Sequence, residues 1–293
     1  MKTILVPTSP HDRMPSALTT AWLAGRRFGA YVEGFALRPA LTEYIPFDMV
    51  GGLTWVRDDA ADEETVQRAR QLFEGFMRDN GVPFSPGTGQ PGTGQPGTGQ
   101  PGAAGGLGYG WRDKAPAGDE FVGSYGRVFD VTVLGRPNAD QAYPSMATLE
   151  AALFESGRPV LIAPPEPPGK LGDNVLIAWN GSTETARTIE SAMPFLHAAQ
   201  RVVVLEVEGG SVPGPTAEDL ARSLRINGIA AETLFAKPER RTAGEVILDR
   251  AAALGCDLLV KGAYTQSRLR QMIFGGQTSH ILAEATIPVL MAH

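Results

Sequence analysis

CDLLVKGAYTQSRLRQMIFGGQTSHILAEATIPVLMAH, residues 256–293, decides the fold. Its apolar run Leu258, Leu259 and Val260 breaks at Gly262, a polar loop follows, and the glycine pair Gly275 and Gly276 precedes a helix predicted over 277–285. Pro288 then introduces a second apolar run, Val289, Leu290 and Met291. Strand, loop, helix and strand in that order build an open parallel sheet. Its ligand crevice lies at a strand's carboxyl end, beside the next helix N-terminus. Glycines there let backbone approach a ligand closely, and the free N–H groups and dipole of the helix favour an anion. A phosphate is the expected guest.

Upstream, the same alternation repeats. An apolar run at 175–178 leads into Trp179, Asn180, Gly181 and Ser182. A helix from Ser182 is expected to bury Ala186, Ile189, Met193 and Leu196, with Pro194 kinking or shortening it. The uninterrupted apolar run at 202–207 is typical of a strand covered on both faces. A helix at 216–227 uses Leu220 and Leu224 and stops at Gly228, and a strand follows at 232–236. In the next helix Thr242 and Glu245 form a capping box, Ile247, Ala251 and Leu254 point inward, and Gly255 ends it.

The first half has a matching order. A strand at 4–6, closed by Pro7, precedes a helix at 15–29 that buries Leu18, Ala21, Trp22, Gly25 and Phe28. After a strand at 31–37 and a loop rich in aromatics, a helix at 62–80 turns Val66, Ala69, Phe73 and Phe76 to one face and stops at Gly81. A strand at 109–114, a helix at 118–129 with Phe121, Val122, Tyr125 and Val128 inward, and a strand at 131–134 come next. A helix at 145–156 with Ser145 as N-cap and a strand at 160–163 complete the half. Residues 164–172, PPEPPGKLG, form a linker stiffened by four prolines. RPVLIAPP at 158–165 and IPVLMAH at 287–293 close the two halves alike, so the chain is an internal duplication. Its domains are 1–165 and 173–293.

An insertion at 85–108 interrupts the first domain, where PGTGQ occurs three times in succession over 86–100. Gly87, Gly89 and Gly92 match a dinucleotide fingerprint literally. That fingerprint needs an apolar strand before it and a helix after it, whereas here a proline falls inside every copy. The tract reads as a low-complexity insertion, tolerable because each doubling of loop length costs only about 0.6 kcal/mol.

With 293 residues, 43% apolar and 20% charged, the chain has ordinary globular composition and room for two cores. A net charge of −6 offers no basic face to nucleic acid or to an anionic membrane. The densest basic cluster, at 237–241, includes Pro238 and Glu239 and reads as a solvated loop. The single cysteine, Cys256, excludes an intrachain disulfide and sits where a helix hands over to a strand, as a small buried hydrophobe does. No run approaches the roughly 18 apolar residues of a membrane span, and MKTILVPTSP is too short in apolar core for a signal peptide. A cytoplasmic protein is expected.

Residues 260–280 resemble the C-terminal signature of the universal stress protein (UspA) family. Its ATP-binding members carry Gly, two residues, Gly, nine residues, then Gly followed by Ser or Thr. Gly262 and Gly275 fall in register; Thr265 stands at the second glycine and Gly276 at the hydroxyl position, with Thr278 the nearest hydroxyl on the helix side. The resemblance implies an α/β fold of two doubly wound, parallel five-stranded sheets in tandem, Rossmann-like or flavodoxin-like. It implies pairing through the last strand of each sheet, at 160–163 and 289–291, as an internal pseudo-dimer, with homodimerisation left open. It further implies a non-catalytic regulator or stress-protective binding protein that takes ATP, with magnesium, in its second domain and acts on protein partners. Asn180, where ATP-binding members have an aspartate near the adenosine, joins Gly262, Thr265, Gly275, Gly276, Gln277 and Thr278 as candidate ligand-binding residues. The first domain looks degenerate. Thr8 and Ser9 lack the acidic residue that follows the first strand in nucleotide-bound members, and GRPNADQAYPS at 135–145 has no glycine pair, so no ATP is expected there.

Each candidate has a plainer alternative. Asn180, Gly181 and Ser182 also suit a turn with Ser182 as N-cap. Lys261, Arg268 and Arg270 add charge near the phosphate loop or are simply solvated. His280, with Glu284 four residues on, lacks the second His or nearby Cys of a metal site. His11, His197 and His293 have no recognisable partners. No GxSxG elbow, GxxxxGK[ST] loop or nucleophile paired with a base is present. The rival functions are a nucleotide-independent partner-binding scaffold and an adenylating or ATP-hydrolysing enzyme. The enzyme is disfavoured because neither residues 8–12 nor 180–183 resemble the SGGxDS pyrophosphate loop.

Overall fold

The structure, a computed structural model, describes residues 1–38, 59–85, 106–137, 144–263 and 277–293. The aromatic-rich loop, the PGTGQ repeats, Thr265, Arg268, Arg270, Gly275 and Gly276 lie outside these residues. The first half runs β1 (Thr3–Thr8), α1 (Met14–Phe28), β2 (Tyr31–Ala36), α2 (Asp59–Asp79), β3 (Gly108–Arg112), α3 (Asp119–Gly126), β4 (Val131–Gly135), α4 (Met146–Glu155) and β5 (Val160–Ala163). The second runs β6 (Asn174–Trp179), α5 (Thr183–Ala198), β7 (Arg201–Val207), α6 (Ala217–Ile226), β8 (Ala231–Ala236), α7 (Ala243–Ala253), β9 (Leu258–Val260), α8 (Gln277–Glu284) and β10 (Val289–Met291).

Among the described residues the strands form one sheet in the order β3-β2-β1-β4-β5-β10-β9-β6-β7-β8. Each half is a parallel, doubly wound five-stranded sheet of the same internal order, the expected α/β fold. The halves meet through β5 and β10, which pair antiparallel with Val289 opposite Ile162, Leu290 opposite Leu161 and Met291 opposite Val160. Helices cover both faces. Apolar residues of α1, α2, α5 and α6 pack on one face, and those of α3, α4, α7 and α8 on the other, in two layers that each run across both halves. Strands covered on both faces need apolar residues at every position, which accounts for the runs Ile4–Val6 and Val202–Leu205.

Local signals place the helix ends. Ser145 Oγ accepts from Thr148 N at 3.1 Å, Thr242 and Glu245 form their capping box, and Thr216 and Asp219 form a further one ahead of α6. Gly29, Gly81, Gly228 and Gly255 take left-handed φ of 57°, 68°, 80° and 62° at helix exits, a region that costs other residues roughly 1–2 kcal/mol.

Several expectations are corrected. Pro7 does not close β1, which continues to Thr8. Thr3 O accepts from Asp130 N on the β4 side and Thr8 O from Leu37 N on the β2 side, so alternation turns Pro7 towards β4. Pairing with β4 stops at Leu5, and the missing N–H interrupts no bond. Ser85 N donates to Tyr109 O, and Gly108 opens β3, so both ends assigned to the insertion belong to the sheet edge. Val128 is 69% exposed, because α3 ends at Gly126 and the residue falls in the turn beyond. On α5 the buried stripe is Thr185, Thr188, Ile189, Ala192, Phe195 and Leu196, leaving Ala186 exposed. Pro194 does not shorten that helix, which runs to Ala198; the carbonyl it deprives of a donor belongs to the exposed Glu190. Trp179 lies in β6 rather than in the turn after it, with its Nε1 donating to Pro215 O at 2.8 Å.

Away from the seam, Arg27 pairs with Asp173 at 2.8 Å and donates to Gly172 O at 2.8 Å, and Phe28 meets Phe195 edge-on with centroids 4.8 Å apart. Among the described residues no helix is long and apolar enough to cross a membrane. Leu161 is fully buried opposite Leu290, so Leu161→Ala is expected to cost about 2–5 kcal/mol by urea denaturation followed by circular dichroism. A loss under about 1 kcal/mol would mean the seam contributes little. Burial pushes the Cys256 thiol up to about 11, with a smaller lowering by Arg201 and a smaller raising by Asp257. Iodoacetamide at pH 8 should therefore label it slowly in native protein and quickly in urea; equal rates would refute its burial.

Candidate functional site

The strand order reverses between β1 and β4 in the first half and between β6 and β9 in the second. Open α/β sheets bind ligands outside the carboxyl ends of such strands. In the second half the turn at 180–182 leaves β6 there, residues 261–263 leave β9, and α8 begins beside them.

Asn180 Oδ1 accepts from Ser182 N at 3.2 Å and from Thr185 Oγ1 at 2.6 Å, and Ser182 Oγ accepts from Thr185 N at 3.2 Å. The turn with Ser182 as N-cap is thus formed, and the Asn180 carboxamide oxygen is committed to it. The amide nitrogen takes no part in those bonds. Gly181 has φ +76°, and a Cβ there would also stand 3.0 Å from Val212 O, so both conformation and space demand glycine.

Gly262 has a packing reason of its own to be glycine. A Cβ on it would stand 2.5 Å from Thr185 N and 2.8 Å from Glu184 C. Its bareness lets the end of β9 pass the first turn of α5.

Lys261 is the residue the sequence misplaced. It is not solvated: 7% of its surface is exposed, and its Nζ donates to Gly262 O at 2.9 Å and to Thr278 Oγ1 at 2.8 Å. Among the described residues no carboxylate pairs with it, and burial alone lowers its amine to about 8. Two neutral oxygens hold the ammonium against the first turn of α8, the positive end of that helix dipole, where a cation is disfavoured. Its position is explained by register: after Leu259 it is the next residue to face the α7 and α8 layer, and the sheet carries its stem inward. The signal available in the sequence was that alternation.

Thr278 is buried and occupied by Lys261, while Gln277 opens α8. Lys261, Trp179, Asn180, Leu205, Val207 and Ile247 line a cavity of about 10 Å3, room for roughly one water. His280 is half-buried, and among the described residues no group of three His, Cys, Asp or Glu is placed to hold a metal.

The corresponding place in the first half is built differently. Arg13 Nη1 donates to Arg136 O at 3.2 Å, and Arg136 Nη1 crosses to Ala285 O, just past the carboxyl end of α8, at 2.8 Å. His11, for which the sequence offered no partner, lies 3.4 Å from where a Gly135 Cβ would stand, and its Nδ1 accepts from Arg13 N at 3.2 Å. Burial lowers its pKa. His293 likewise gains a partner, its ring meeting Phe154 edge-on with centroids 4.7 Å apart.

Replacing the lone buried ammonium has a signed consequence. Below about pH 8 Lys261 is charged both folded and unfolded and burial carries its full cost; above its ordinary value of 10.5 it is neutral in both and the cost vanishes. Lys261→Met is expected to stabilise the free protein by up to about 3 kcal/mol at pH 7, an advantage that shrinks as pH rises from 8 to 10.5. Urea melts of both proteins across that window check it, and a variant less stable at every pH would overturn it.

Residues 172–293 match the family described as the Universal stress protein family. The stress response protein NhaX of Bacillus subtilis is 23% identical over 160 residues, covering 41% of this chain and 96% of its own length. Among solved structures, a universal stress protein from Archaeoglobus fulgidus superposes with a TM-score of 0.71 at 15% identity, covering 99% of this chain and 95% of that one. A putative universal stress protein from Pseudomonas aeruginosa superposes with a TM-score of 0.52 at 14% identity over 100% and 93% of the two chains. These structures share the fold across both halves, while the sequence match lies on the second. Residues 172–293 thus match the Universal stress protein family, and the chain as a whole shares the fold of these solved structures.

Proposed function

We propose that this chain is a non-catalytic, cytoplasmic stress-response protein whose second half binds ATP or another adenine nucleotide and communicates its occupancy to protein partners. The observation that carries this reading is the convergence of the β6 and β9 carboxyl ends with the start of α8 at the strand-order reversal, inside the segment that matches the family. The nucleotide contacts would come from Asn180, Gly262, Thr265, Gly275, Gly276, Gln277 and Thr278. Magnesium would arrive on the phosphates, since among the described residues no protein ligand set is assembled for it. A non-catalytic role is consistent with the raised Cys256 thiol, which is a poor nucleophile.

A second reading, a nucleotide-independent scaffold, draws on three observations. The Asn180 oxygen is already used by its own turn, Gly262 serves packing against α5, and the cavity holds no more than about a water. Calorimetric titration of nucleotide-stripped protein with Mg·ATP separates the two. Micromolar binding near one site per chain, lost in Gly275→Val, is the expected outcome. Absence of binding at millimolar ATP would leave the scaffold as the working account.

A further inference from the structure

A cation taken out of water without a counter-charge is among the most costly arrangements in a protein interior. Lys261 is such a cation: 93% of its surface is removed from solvent and, among the described residues, its ammonium touches a carbonyl and a hydroxyl oxygen, 2.9 and 2.8 Å away, and no carboxylate. Burial is the cause of its lowered pKa, and among the described residues no charged group shifts it. The packed elements agree. The α7 residues facing this layer are Val246, Ile247 and Ala251, those of α8 are Ile281 and Leu282, and the neighbouring strand ends supply Ala178, Leu205 and Val207. An ammonium carries three protons and two are used here.

Folds do not keep such a group on packing grounds, because methionine fills the same volume at no charge penalty. A site that is intermittently occupied by an anion gives the group a use. The position suits one, since Lys261 stands at the strand-order reversal, beside a cavity of about one water, and its ammonium lies against the N-terminal turn of a helix, where negative charge is favoured. We infer that Lys261 is the residue by which this crevice selects phosphate charge, so that it takes a nucleoside polyphosphate in preference to the bare nucleoside. This rests on the adenine-nucleotide reading for the base, though not for the anion.

Binding is then coupled to protonation. An arriving phosphate supplies the missing counter-charge and raises the Lys261 pKa in the complex. Affinity is fully present below about pH 8, where the free amine is already charged, and is lost as pH rises through the higher value of the complex.

The test is calorimetry of the full chain and of Lys261→Met with Mg·ATP, adenosine and inorganic pyrophosphate at pH 7.0 and 9.5, with thermal melts of both proteins. The expected result at pH 7.0 is ATP binding at least about tenfold tighter than adenosine in the wild type, with that preference lost in the variant. Adenosine affinity should stay within about twofold, the variant should melt no lower, and the wild-type preference alone should weaken at pH 9.5. Unchanged ATP affinity in Lys261→Met would overturn the inference while leaving the nucleotide reading intact. Loss of ATP and adenosine together, with a lower melting temperature, would overturn it in favour of a purely structural hydrogen-bonded lysine. If the wild type binds neither nucleotide, the nucleotide reading fails. In that case Lys261-dependent pyrophosphate binding sustains the anion inference, and absence of pyrophosphate binding overturns it too.

Discussion

Two short strands hold the architecture together. β5 and β10 are the last strands of their halves, and at the end of an open sheet each would present a row of unpaired N–H and C=O groups. Pairing them antiparallel satisfies both rows and places Leu161 and Leu290 in one apolar layer, with Val160, Ile162, Val289 and Met291 in the other. The layers on the two faces therefore pass through the seam without a break. What began as two small cores becomes two long ones, and larger cores bury a greater share of their surface. The outer edges that remain are β3, partly screened by Phe84 and Ser85, and β8.

The seam also determines what lies near the candidate site. Because β10 follows α8 directly, joining β10 to β5 brings the carboxyl end of α8 against the first half. Arg136 donates to Ala285 O there, a favourable place for a cation. At the other end of the same helix Lys261 donates to Thr278, an unfavourable place for one. One short helix is thus held by the first half at its carboxyl end and by a buried ammonium, without a counter-charge among the described residues, at its start. The first half thus anchors the carboxyl end of the helix whose first turn borders the candidate site.

Features set by adjacent residues were legible in the sequence. The alternation of strands and helices, the duplication, the linker prolines, the Ser145, Ser182 and Thr242 caps and the glycine stops all depend on a few neighbouring dihedrals and hydrogen bonds. Errors arose where a neighbour distant in sequence decides the outcome. Pro7 is tolerated because β4 stops pairing before it, and the α5 stripe takes in Thr188, whose hydroxyl finds its partner in Ala292 at the far end of the chain.

By itself the sequence determined the fold class, the two-half organisation and the family match of residues 172–293, because periodicity and the spacing around Gly262 are properties of the chain. Only the tertiary structure decided what individual groups at the site are doing. Gly262 is bare on account of α5, Asn180 is turned inward by its own turn, and Arg136 reaches the other half. Above all, Lys261 is a buried ammonium with no counter-charge among the described residues, rather than a solvated one. Strand alternation turns this side chain inward, but burial of a charge is a property of everything that surrounds it, and the strands and helices from across the second half that close around this one are set only by the fold.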